Sequence, residues 1–127
     1  MQVLYQIDIT HEKPDTALDN FWQDHADEEL DDEIRSFASD IAKGVVEKLV
    51  DIDRKIAQYA ANWQLERMAV VDRNILRLGC FELMFRDDIP PKVSINEAVD
   101  LAKKFSGVES GKFVNAILDK VKIEFEK

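Results

Sequence analysis

The chain has 127 residues, enough for one domain to bury a real core without disulfide staples, and is 46% hydrophobic and 34% charged. Four glycines and three prolines are too few for the turns of a β-sandwich, no apolar run approaches the roughly 20 residues of a membrane span, and no signal-peptide pattern opens the chain. The formal net charge of -9 argues against a general nucleic-acid binder, and a single cysteine, Cys80, excludes an internal disulfide and points to a reducing cytoplasm.

The charge is unevenly spread. Residues 1–66 hold sixteen acids against six bases, whereas residues 67–127 hold ten acids against eleven bases. A polyanion would be met by the second half and a basic partner by the first. The run from Asp24 to Glu33 otherwise reads as a solvated face.

In chain order, Met1 to Ile9 reads as a helix end with Val3, Leu4 and Ile7 on one face and no capping residue ahead of it. Pro14-Asp15-Thr16 opens a short helix carrying Leu18, Phe21 and Trp22, and the acids from Asp27 to Glu33 complement the dipole at the next helix start. Phe37, Ala38, Ile41, Val45, Leu49, Ile52, Ile56 and Tyr59 recur at the three-and-four spacing of a long amphipathic helix, with a break expected near Val50-Asp51. Leu65, Met68, Val71, Ile75, Leu78 and Leu83 mark another, ending at Arg86. Gly79 inside it costs about 1 kcal/mol relative to alanine, which predicts close approach by a neighbouring helix. Asp87-Asp88-Ile89-Pro90-Pro91 is a stop, and Ser94-Ile95-Asn96-Glu97 has the form of a capping box with Ser94 as N-cap. That helix carries Ala98, Leu101 and Ala102 and ends at Phe105-Ser106, with Gly107 suited to the position after the cap. The last helix runs from about Ser110 to Phe125, with Val114, Ile117, Leu118 and Val121 inward. With no strand-like alternation anywhere, the fold class is all-α.

The stretch from Phe105 to Lys120 carries most of the functional information. A helix stops at a glycine, a short turn follows, and the next helix opens with Lys112, Phe113 and Asn115 near its start. Such groups suit single-stranded RNA: bases stack on a ring, a cation and a helix N-terminus meet phosphate, and an amide reads a base edge. Taken alone, the pattern is weak, because a phenylalanine such as Phe113 is more often a core residue.

Other chemistry lacks its signatures. His11 and His25 match no metal-ligand spacing, the run from Asp24 to Asp32 has no glycine at the sixth position of a calcium loop, and no phosphate-cradling glycine loop occurs. Neither a metal site, a cofactor nor a catalytic residue is expected, and the chain reads as a binding protein and not an enzyme.

Several motifs together carry a resemblance to a known family. They are Leu65-Glu66-Arg67-Met68, Val71-Asp72-Arg73-Asn74-Ile75-Leu76-Arg77, Glu82-Leu83, Ile89-Pro90-Pro91-Lys92-Val93-Ser94-Ile95-Asn96-Glu97-Ala98-Val99, Leu101-Ala102-Lys103-Lys104-Phe105 and Lys112-Phe113-Val114-Asn115. In order and spacing they resemble the NusB family of bacterial antitermination factors, and Leu4-Tyr5 matches the family's first-helix leucine-tyrosine. The resemblance is specific in the second half and loose across residues 10–60.

It implies a single domain over residues 1–127 of about seven helices, arranged as two small packed bundles. It implies binding of boxA single-stranded RNA in ribosomal RNA transcripts together with NusE, a small-subunit ribosomal protein. Other Nus factors and RNA polymerase complete the complex, which acts in the cytoplasm with no membrane involved. The protein itself would be a monomer or weak homodimer.

Carried over residue by residue, the resemblance implies RNA contacts at Tyr5, Arg73, Phe105, Glu109, Lys112, Phe113 and Asn115. Glu109 would moderate affinity by repelling phosphate. NusE contacts are implied at Tyr5, Glu66 and Asp72, with both acids exposed. Family members carry an arginine-rich arm before the leucine-tyrosine, whereas this sequence opens Met1-Gln2-Val3-Leu4-Tyr5. The arm is expected to be missing, and RNA binding without the partner to be weak. Two other readings stay open: a NusB-like RNA-recognition domain of an rRNA cytosine methyltransferase, and a helical adaptor that binds protein alone.

Overall fold

The computed structural model describes Leu4, residues 7–9, Ala17 and residues 32–60 and 68–125, all of them in helices or in the turns between helices. Five helices have defined bounds: α1 (Asp32–Glu47), α2 (Leu49–Tyr59), α3 (Val70–Phe85), α4 (Pro91–Phe105) and α5 (Val108–Phe125). No strand occurs among the described residues. The chain divides into two compact units, residues 1–47 and 48–127. The boundary falls at Lys48, where φ -101° and ψ 14° interrupt the long helix. The break thus comes ahead of Val50-Asp51, which lie inside α2.

In the first unit Leu4, Ala17, Ile41, Ala42 and Val45 are buried. Phe37 departs from the expected inward stripe and is 47% exposed. In the second unit the core is built on Ile52 and Ile56 of α2, Ile75 and Leu76 of α3, and Val114, Leu118 and Val121 of α5, all fully buried. In α2 and α5 these positions repeat at three and four residues, and in α3 the Ile75-Leu76 pair recurs four residues on as the buried Gly79-Cys80, so each helix turns one stripe inward. α4 contributes the smaller Ala98 and Ala102, which lets it lie close against α5. Gly79 meets its expectation: a Cβ there would come within 2.8 Å of Leu118 Cδ1, so α3 and α5 cross where a side chain is absent.

Two polar ties hold α2 in place. Arg77 of α3 donates to both carboxylate oxygens of Asp53 in α2, at 2.8 and 2.9 Å. Lys55 and Tyr59 both donate to Glu124 near the end of α5, each at 2.7 Å. The Lys55 bond, with that of Tyr59 behind it, holds the Glu124 carboxyl below the usual carboxylate range.

The start of α4 corrects the sequence reading. Pro90 is the N-cap and Pro91 opens the helix, while Ser94 sits a turn further in and is 2% exposed. Proline at the first helical position has φ already set and lacks only a donor that would be unpaired there. Two consecutive prolines therefore override the Ser94-Glu97 box. Pro90 carbonyl accepts from the amides of Val93 and Ser94 at 2.9 and 3.2 Å, which closes the first turn.

Cys80 is fully buried on α3, and burial, reinforced by nearby Asp53, pushes its thiol up from 9.0 to about 12. The native chain should therefore resist iodoacetamide at pH 8.5 and label only when denatured. The folded state keeps its proton where the unfolded state loses it. That contribution to stability is complete below pH 9 and lost as pH rises toward about 12. Rapid labelling without denaturant would show that the α3 core opens locally.

Candidate nucleic-acid interface

The α4–α5 corner is built by a two-residue turn. The amides of Ser106 and Gly107 both donate to the Ala102 carbonyl, at 2.8 and 3.0 Å, and Gly107 takes φ 110°. Only glycine enters that left-handed region without steric cost, so the sequence places the reversal here. α5 then starts at Val108, two residues ahead of the expected Ser110. A Cβ on Gly111 would lie 2.7 Å from Lys103 Cγ, so the lysine stem runs across the base of α5.

Two of the three aromatic residues of the predicted site, Phe105 and Phe113, flank this reversal. Phe105, the last residue of α4, is 52% exposed, with the Lys104 ammonium 5.4 Å from its ring centre. Phe113 is half-buried and forms one wall of a cavity of about 280 Å³, together with Met68, Ala69, Asp72, Glu109 and Ser110. This is just under the roughly 300–1,000 Å³ of small-molecule sites. The aromatic residue is thus neither a core side chain nor a fully exposed one.

Charge at the corner is mixed. Lys112 lies 3.6 Å from Glu109, and both side chains are largely exposed. Such a pair is screened and contributes about 0–1 kcal/mol, so both groups remain available to a ligand. Asn115 is exposed a little further along α5, and Arg73 is half-buried on the first turn of α3. Asp72, expected among exposed partner-facing acids, is instead half-buried. Its Oδ2 accepts from Ser110 Oγ at 3.0 Å, and its Oδ1 is enclosed without a partner. It ties α3 to α5 and lines the same cavity as Glu109 and Phe113, two of the predicted RNA residues. Tyr5 and Glu66 lie outside the described residues.

Ser110, Lys103 and Lys104 were missed by the sequence reading. The tie of Ser110 to Asp72 spans 38 positions and leaves no local signal. The two lysines entered only as members of the motif Leu101-Ala102-Lys103-Lys104-Phe105. No helix among the described residues is long and apolar enough to cross a membrane, and no His, Cys, Asp or Glu group among them could hold a metal ion.

Residues 1–122 match the model of the NusB family. Among curated relatives, the transcription antitermination protein NusB of Anaeromyxobacter dehalogenans (strain 2CP-1) is 46% identical over 121 residues, covering 95% of this chain and 83% of the relative. T. maritima NusB superposes with a TM-score of 0.87 at 37% identity, over 97% of this chain and 84% of that one. A crystal structure of antitermination factors NusB and NusE in complex with dsRNA aligns with a TM-score of 0.86 at 28% identity, over 96% of this chain and 89% of that one. Family match, curated relatives and superposed folds coincide over nearly the whole chain, and the chain belongs to the NusB family.

Proposed function

We propose that this chain is a transcription antitermination factor that binds boxA RNA of ribosomal transcripts jointly with NusE, and acts with other Nus factors on RNA polymerase in the bacterial cytoplasm. It works by binding and catalyses no reaction. The observation that carries the RNA assignment is the α4–α5 corner, where Phe113 walls a cavity at the start of α5 and the exposed Phe105 ends α4 with the Lys104 ammonium over its ring. Half-exposed rings at a turn offer faces on which unpaired bases stack, whereas bases in an intact duplex already stack on one another. A single-stranded target therefore suits the corner better than a duplex.

The net charge of -9 opposes a polyanion, so a basic partner is needed to raise affinity. Glu109, 91% exposed beside the corner, adds local repulsion. Titration of labelled boxA RNA should give weak binding to the chain alone and tight binding with NusE present. Glu109→Asn should tighten RNA binding several-fold, most strongly at low salt, where charge is least screened. Equal affinity with and without NusE, or an unaltered Glu109→Asn, would sink the partner and repulsion components respectively.

A further inference from the structure

The three lysines of the α4–α5 corner differ in the charge that stands beside them. Lys112 has Glu109 at 3.6 Å, so an RNA phosphate reaching it would also meet a carboxylate. Lys103 and Lys104 occupy the last turn of α4, are exposed, and have no carboxylate partner among the described residues. Both are positioned rather than loose. The stem of Lys103 crosses Gly111 so closely that a Cβ there would stand 2.7 Å from its Cγ. The ammonium of Lys104 stands 5.4 Å from the Phe105 ring centre, on a ring that remains 52% exposed.

We propose that Lys103 and Lys104, and not Lys112, are the main phosphate-contacting cations of this interface, and that Lys104 and Phe105 act as one unit. The inference rests on the RNA-binding function proposed above and names the residues that set its affinity. The ammonium occupies one side of the ring, and a base stacks on the other. A phosphate of the same strand then meets Lys104 at the ring edge, and its neighbour meets Lys103 across the start of α5. Gly107 keeps the approach open, since nothing lies within 4 Å of where its Cβ would be.

A purely structural role is the competing possibility, because cations in the last turn of a helix also complement its dipole. The two differ in salt dependence. Each phosphate contact with a single strand contributes about 0.7 to the slope of log K against log salt. Losing one contact should therefore cost about fivefold in affinity near 0.1 M salt and almost nothing near 1 M.

The experiment measures boxA RNA affinity of the NusE-bound chain from about 0.05 to 0.5 M salt for wild type, Lys103→Gln, Lys104→Gln, Lys104→Arg, Lys112→Gln and Lys92→Gln. Lys92 is the control, exposed at the opposite end of α4 and about 18 Å away at 1.5 Å per residue. Circular dichroism melts accompany each variant. The expected result is a slope flatter by about 0.7 for Lys103→Gln and Lys104→Gln, a smaller change for Lys112→Gln, and none for Lys92→Gln or Lys104→Arg. The assignment is overturned if Lys103→Gln and Lys104→Gln keep the wild-type slope, or if Lys92→Gln flattens it as much. A wild-type complex that binds no RNA would overturn the proposed function and this assignment together, an outcome distinct from wild-type binding with unaffected variants.

Discussion

Arg77→Ala should destabilise the second unit by about 2–3 kcal/mol, lowering Tm by roughly 10 °C without altering the helical content of the folded state. The side chains of Arg77 and Asp53 are only 11% and 26% exposed, so water screens them poorly. The guanidinium meets the carboxylate through two parallel bonds of 2.8 and 2.9 Å, the strongest geometry available to this pair. Removing the arginine leaves the Asp53 carboxylate half-enclosed between α2 and α3 with its charge uncompensated. That penalty, more than the attraction lost, sets the size of the effect. Asp53→Ala should cost a comparable amount, and the double variant less than the sum of the two, with a coupling of about 1–2 kcal/mol. Chemical denaturation of the four proteins measures it. Strict additivity would mean that the two residues act through separate contacts and the pair contributes only shape.

The same pair shows where sequence reading succeeds and where it stops. The helical stripes of α2, α3 and α5 were legible because burial repeats at the helix period, and Ile52, Ile56, Ile75, Leu118 and Val121 all fall inside. Gly79 was legible as a close approach because its helix cost needs a compensating contact, and Leu118 supplies it. Gly107 was legible because a left-handed cap requires it. The Arg77–Asp53 pair was not, since a spacing of 24 positions carries no periodic signal. At Ser94 two local signals competed, and the fixed φ of Pro91 prevailed over the capping box. Phe105, Lys112 and Phe113 were singled out because they cluster in sequence around one turn, and Glu109 through the family resemblance; the structure puts all four at the end of α4 or the start of α5. Asp72 was misjudged as a free surface acid, because its hydroxyl partner comes from another helix. Charge reversal there would strand a cation at the start of α3 and remove the bond to Ser110. It is therefore a poor probe of partner binding.

Phe113→Ala should weaken boxA binding by about 1–3 kcal/mol, or roughly five- to 150-fold, through loss of one stacked base. The ring is half-buried and walls the cavity beside Met68 and Ala69, so truncation also removes packing between α3 and α5. A folding defect alone could then mimic a binding defect. Phe113→Leu separates the two, because leucine keeps most of the apolar volume and loses the flat π-face. If the ring stacks a base, Phe113→Leu should retain near-wild-type thermal stability and still lose most of the affinity lost by Phe113→Ala. Phe113→Tyr should keep both, since the added hydroxyl leaves the stacking face intact. RNA affinities are compared well below the melting temperature of each variant, at one salt concentration and with NusE present. Should Phe113→Leu bind RNA as tightly as wild type, the ring serves only to close the cavity wall, and base stacking must be assigned to Phe105 alone.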